Sequence, residues 1–122
     1  MQSILGNTRK MDIVFHRSGR IDIAAHVAKI LSLQRGDVID ILTSDCEAFL
    51  YVRRRSPTIG RHEGMVYPSN KKGNHFRTSS KALCRYMLCR CGGNESVSLH
   101  VGKAIKDNYK GVLLPIILRR CL

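Results

Sequence analysis

Gly19-Arg20-Ile21-Asp22-Ile23-Ala24-Ala25-His26-Val27-Ala28-Lys29-Ile30-Leu31-Ser32-Leu33-Gln34-Arg35-Gly36-Asp37-Val38-Ile39-Asp40-Ile41 changes its hydrophobic period twice. Arg20 to Ile23 alternates polar and apolar, the period of a half-buried strand. From Ala24 the spacing of Val27, Ile30, Leu31 and Leu33 becomes helical, and Ala24, Ala25 and Ala28 favour a helix. Gln34-Arg35-Gly36-Asp37 is predicted to stop it, with Gly36 suited to a left-handed turn. Val38 to Leu42 then alternates as a strand.

The pattern extends outward on both sides. Met11 to Phe15 is a short apolar run entering the tight turn His16-Arg17-Ser18-Gly19, and Ala48 to Arg53 is a strand reached through Thr43-Ser44-Asp45. Residues 1–53 thus form a ββαββ unit. Residues 54–63, with Pro57 and Gly60, read as a connector. Residues 64–122 repeat the order in diverged form. Met65-Val66-Tyr67 and His75 to Thr78 are strands around the turn Pro68 to Gly73. Ser79 or Ser80 caps a helix carrying Leu83, Cys84, Met87 and Leu88, which ends at Cys91-Gly92-Gly93-Asn94. Val97 to Val101 and Gly111 to Leu118 are the closing strands, separated by the polar Lys106-Asp107-Asn108. Each half places a basic turn before a glycine, Gly19 and Gly73. One such unit cannot bury its apolar face alone, so two are expected to share one barrel without exposed edges. The fold class is mainly β with two short helices (α+β).

The Gly19–Ile41 stretch resembles the AbrB-type (SpoVT/AbrB, swapped-hairpin) DNA-binding family. Gly19-Arg20, Ile21, Ile23, Val27, Leu31, Leu33, Gly36-Asp37, Val38 or Ile39, and Ile41 fall on that family's pattern without a gap. Ala24 departs from it, standing where the family has Pro, and Ala28 stands where it has Arg. The resemblance covers about a quarter of the chain, and the second half matches no motif of the family. In carrying two units in one chain the protein is also similar to MraZ-like proteins. The resemblance implies a swapped-hairpin or cradle-loop barrel. It further implies a homodimer or higher homo-oligomer, whose basic loops and helix starts lie against duplex DNA.

Charge supports an anionic partner independently. The formal net charge is +12, with 21 Lys and Arg against 9 Asp and Glu among 122 residues. Such a field resists compaction unless a polyanion offsets it, and nucleic acid is the commonest. By the resemblance, Arg17 and Arg20 at the hairpin turn and His26 and Lys29 on the helix are DNA-binding candidates. The internal repeat adds Lys71, Lys72, Arg77, Lys81 and Arg85. Arginine forks onto phosphate or guanine edges and lysine supplies a point charge, although a solvated face explains any one of these equally well. Arg53-Arg54-Arg55 is a second cluster, suited either to the phosphate backbone or to guarding a strand edge. Lys103, Lys106 and Lys110 read as solubility residues near a loop.

Other chemistry finds little footing. Cys84-x4-Cys89-x-Cys91 with His75 or His100 lacks the paired spacing of a zinc site. No Gly-x-Ser-x-Gly supports a triad on Ser79 or Ser80, carboxylates are scarce, and no Gly-rich phosphate loop is present. No enzyme activity, cofactor or metal is therefore expected. The five cysteines, odd in number and irregularly spaced, argue against a secreted disulfide framework, so reduced thiols and a cytoplasmic location, at the nucleoid if DNA is bound, are expected. No apolar run is long enough to be a signal peptide or to span a bilayer, so no membrane association is expected. The functional expectation is a transcriptional regulator binding duplex DNA. The alternatives are a protein-interaction module, antitoxin-like or phage-encoded, and an RNA-binding protein, the last disfavoured by 6% aromatics.

Overall fold

The computed structural model of the chain describes residues 11–53 and 63–118. The first part carries β1 (Ile13–His16), β2 (Arg20–Ile23), α1 (Ala25–Leu31), β3 (Val38–Thr43) and β4 (Ala48–Arg53). The second carries β5 (Tyr67–Pro68), β6 (Phe76–Ser79), α2 (Lys81–Cys91), β7 (Ser96–Val101), β8 (Ile105–Asp107) and β9 (Gly111–Ile117). The protein is mainly β with two helices, as the periodicity requires. The strands make one curled antiparallel sheet, a half-barrel, in the order β3-β4-β9-β7-β1-β2-β6-β5, with β8 hung on β9.

The order interleaves the two parts of the chain. The β1–β2 hairpin is flanked by β7 and β6, and the β3–β4 hairpin leans on β9. Among the described pairings, none joins β1 or β2 to β3 or β4. Exchanging β1, β2, β3 and β4 for β5, β6, β7 and β9 leaves the pairing scheme unchanged. The counterpart of β1–β7 is the bridge between Val38 and Met65. Around that bridge Ile39 N–H donates to Gly64 O at 2.9 Å and Val66 N–H to Asp37 O at 2.7 Å, bringing the sheet's two margins together at one point. Gly64 is needed there, since its φ is +80° and a Cβ would lie 2.9 Å from Ile39 O. The expected edge-free barrel is corrected to this half-barrel, because the margins touch only locally and β8 pairs on one side alone.

Strand period two gives the sheet two different faces. Ile13 and Phe15 of β1, Ile21 and Ile23 of β2, Phe76 of β6, and Val97 and Leu99 of β7 point inward. They meet Cys84, Met87 and Leu88 of α2 and Val27 and Leu31 of α1 in one core. Two further corrections concern element ends. Helix α1 stops at Leu31, because Ser32 takes the left-handed C-cap (φ 53°), while Gly36 (φ 92°) shapes the later turn into β3. Ile105 to Asp107, read as part of a loop, is strand β8, since pairing with β9 supplies the order its short sequence does not signal. The α2 cap is Ser80, whose Oγ accepts from Leu83 N–H at 3.1 Å and donates to Glu63 at 2.7 Å. Cys84, Cys89 and Cys91 are free. Cys46 is disulfide-bonded, which corrects the expectation of reduced thiols at that exposed position; cysteine spacing does not show such a pairing.

Candidate nucleic-acid interface

The outward face of β2 and β6 carries Arg20 and Arg77, and the turns and helix starts around it carry most of the other cationic candidates. Register places Asp22 opposite Arg77 and Arg20 opposite Ser79, while their neighbours Ile21, Ile23, Phe76 and Thr78 face the core. On the outer face Asp22 collects three donors. Arg77 Nε donates to Oδ1 at 2.7 Å, and Arg20 Nε and His16 Nε2 lie 3.1 and 2.9 Å from Oδ2. Burial pulls the Asp22 carboxyl upward. The hydrogen bonds of Arg77 and His16 and the charges of Arg77 and Arg20 outweigh that and hold it below its ordinary value. The hydrogen bond and charge of Asp22 raise the Arg77 guanidinium in turn. The carboxylate thus holds two arginines from different parts of the chain side by side on one surface.

The turn between β1 and β2 is docked on the start of α2. Gly19 has φ +101°, Ser80 N–H donates to its carbonyl at 2.8 Å, and a Cβ there would lie 3.0 Å from Lys81 Cγ. Arg17, on the same turn, is exposed, and its 3.5 Å contact with exposed Glu95 is of the weak surface kind. Lys81 and Arg85 are exposed one helical turn apart and so share a face of α2. Lys71 and Lys72 occupy the β5–β6 turn, which Asn70 Oδ1 shapes by accepting from the N–H groups of Asn74 and His75 at 3.1 Å each. Because β2 and β6 run antiparallel, Gly19 and Ser80 share one end of the ribbon and the β5–β6 turn sits at the other. Arg17, Arg20, Lys81 and Arg85 are therefore grouped at one end, Arg77 lies between, and Lys71 and Lys72 stand at the far end. From the first to the last of the four paired positions is about 10 Å at roughly 3.3 Å per residue. A groove of about 730 Å³ opens toward the Lys71 end, lined among others by Asp22, Arg77, His26, His75 and Phe76.

The remaining candidates lie elsewhere. Lys29 is exposed in the last turn of α1. Arg53 ends β4, beside β3 and 4.0 Å from Asp40, while Arg54 and Arg55 fall outside the described residues. His26 faces inward chemistry as well as the groove. Its Nε2 lies 2.7 Å from Oδ1 of Asp12, a carboxylate only 1% exposed. Asp12 Oδ2 accepts from Val101 N–H at 2.8 Å and lies 3.5 Å from His100 Nδ1, an atom that is buried and makes no hydrogen bond. Asp12 therefore joins the start of β1, helix α1 and the end of β7. Reading the sequence missed this clamp; an acid immediately before an apolar strand was its one visible sign.

Cys84 is buried beneath α2 with Sγ 3.5 Å from Arg20 O, and burial pushes its thiol up, away from the thiolate that a ligand or nucleophile needs. Among the described residues no group of three His, Cys, Asp or Glu side chains is arranged to hold a metal ion, and no helix is long and apolar enough to cross a membrane. No family model, curated protein or solved structure matches the chain.

Proposed function

We propose that the chain binds duplex DNA across the ribbon of β1, β2 and β6, as an AbrB-like protein whose two swapped-hairpin units reside in one chain, and acts as a transcriptional regulator. The observation that carries this reading is the stripe of Arg17, Arg20, Arg77 and Lys81, gathered from both parts of the chain by the β2–β6 pairing. The interleaved hairpins support the AbrB-like reading, because each unit supplies strands that only the other can flank. Asp22 pre-aligns Arg20 and Arg77, which lowers the ordering cost of meeting a phosphate. Lys81 and Arg85 at one end and Lys71 and Lys72 at the other contact successive phosphates, and the guanidinium groups read groove edges.

A retardation assay on random duplex DNA tests the reading. If about six phosphates are neutralised, the logarithm of the binding constant falls with the logarithm of salt at a slope of about −5. Changing Arg17 and Arg20 together to Ala makes that slope shallower by about 2 and leaves thermal stability nearly unchanged, because their exposed ion pairs contribute little. Absence of binding at low salt refutes the reading.

A protein partner, including a second copy of the chain, is the second reading. It is favoured by the outward face of β8 and β9, where Ile105 is 48% and Ile117 55% exposed, unlike the polar face of β1 and β2. Sedimentation of the full chain over a concentration series distinguishes a self-associating protein from a monomer.

A further inference from the structure

We infer that the β8–β9 hairpin is a second DNA-contacting element, which lays Tyr109 against the minor groove while its lysines meet the flanking phosphates; this rests on the DNA-binding reading above. The hairpin has no counterpart in the first part of the chain. Strand β3 returns as β4 through a short turn closed by Ser44 N–H to Glu47 O at 2.9 Å. The corresponding passage from β7 to β9 is lengthened to include β8 and the tip Asn108-Tyr109-Lys110. Tyr109 is 94% exposed, so its aromatic ring contributes nothing to the core. It is also not carried on a loose loop. Asp107 Oδ2 accepts from the N–H groups of Tyr109 and Lys110 at 2.9 and 2.8 Å, which fixes the turn that projects the ring.

The surroundings of that ring are cationic. Lys103, Lys106 and Lys110 are exposed, and Asp107 is the sole acid between Gly102 and Leu118, its carboxylate turned onto its own backbone. Lys110 Nζ sits 5.2 Å from the centre of the Tyr51 ring on β4. The β4–β9 register, continued from Leu50–Leu114 toward Gly111, runs the tip alongside the end of β4, where Arg53 is exposed. A fixed aromatic tip with exposed Lys106 and Lys110 beside it in the hairpin complements a groove walled by phosphates. Aromatic and apolar side chains wedge against base steps from the minor groove, and lysines bind the backbone on either side.

The test uses the full chain and a labelled random duplex, at about 50 and about 200 mM salt. Tyr109→Ala is expected to weaken binding about tenfold with the salt slope unchanged, and Tyr109→Phe to stay within about twofold of the parent. The pair Lys106→Ala and Lys110→Ala is expected to make the slope shallower by about 2. Melting temperatures of all variants should match the parent, since none of these side chains is in the core. If the parent fails to bind duplex DNA, the DNA-binding reading itself is refuted. If the parent binds and all three variants bind equally well with equal slopes, the hairpin inference alone is refuted. Preference of the parent for single-stranded RNA would also overturn it. So would binding to phosphatidylcholine–phosphatidylserine vesicles that Tyr109→Ala abolishes while DNA binding is retained.

Discussion

Replacing Asp12 by Ala should be among the most damaging single substitutions in the chain, although the residue lies outside any regular element. The carboxylate is 1% exposed, and its Oδ2 accepts from Val101 N–H at 2.8 Å. Truncation leaves that N–H without its acceptor, at a cost of about 1–3 kcal/mol. It also removes the 2.7 Å contact with His26, whose side chain is 46% exposed. Water replaces much of that contact, so the contribution is discounted to about 1 kcal/mol or less. The total is about 3 kcal/mol, near the lower end of what breaking a buried charged partnership costs. For a chain of this size that corresponds to a fall of about 12 °C in melting temperature, at roughly 4 °C per kcal/mol. Calorimetry of parent, Asp12→Ala and Asp12→Asn measures it. Asn keeps an acceptor for Val101 and should lose less than Ala. An Asp12→Ala protein that melts within about 3 °C of the parent would refute the clamp, because that shift is under 1 kcal/mol.

Three other outcomes follow from the same contacts. Because the folded carboxyl of Asp22 lies below its unfolded value, its stabilisation is full above the unfolded pKa and is lost as pH falls through the folded one. Melting temperature of the parent should therefore drop on acidification below about pH 4 by more than that of Asp22→Asn, and parallel curves would contradict this. Gly64→Ala should destabilise by about 2 kcal/mol in chemical denaturation, combining a left-handed backbone with a Cβ 2.9 Å from Ile39 O; a neutral result would mean the bridge region yields freely. Residues 1–53 produced alone should not fold as a monomer, since β1 and β2 would lose both flanking strands, and a cooperative melt at monomeric mass would refute the interleaved scheme.

Local order was legible and long-range pairing was not. Alternation located β2, β3 and β4, and Ser80 and Gly92 marked the ends of α2, because those signals lie within a few residues. The end of α1 was misjudged because a serine, not the nearby glycine, adopts the left-handed cap. Strand β8 carries no alternation to see and is ordered by β9. The grouping of Arg20 with Arg77 and Lys81 follows the internal repeat, but the carboxylate that joins the two arginines did not. Asp22 reads as an ordinary outward residue of β2 until β6 is placed beside it. Asp12 is the clearest omission: its three neighbours, His26, Val101 and His100, come from distant segments, and no local period connects them.

The interleaving links stability and surface in a way that orders the experiments. Ile13 pairs with Leu99 and Leu50 with Leu114, so the contacts that make the sheet span most of the chain. Such topologies fold slowly, on the order of milliseconds to seconds, because loop closure precedes the contacts that reward it. The cationic ribbon inherits this dependence. Arg20 comes from one part of the chain and Arg77 and Lys81 from the other, so the stripe exists only once β2 and β6 are paired. Loss of DNA binding in a variant is therefore informative only beside its melting curve. Asp12→Ala should lower stability and binding together, whereas the Arg17 and Arg20 pair should lower binding alone. A protein in which Asp12→Ala lost binding without losing stability, while the Arg17 and Arg20 pair bound like the parent, would have its binding surface near the Asp12 clamp and the His26 groove rather than along the β2–β6 ribbon.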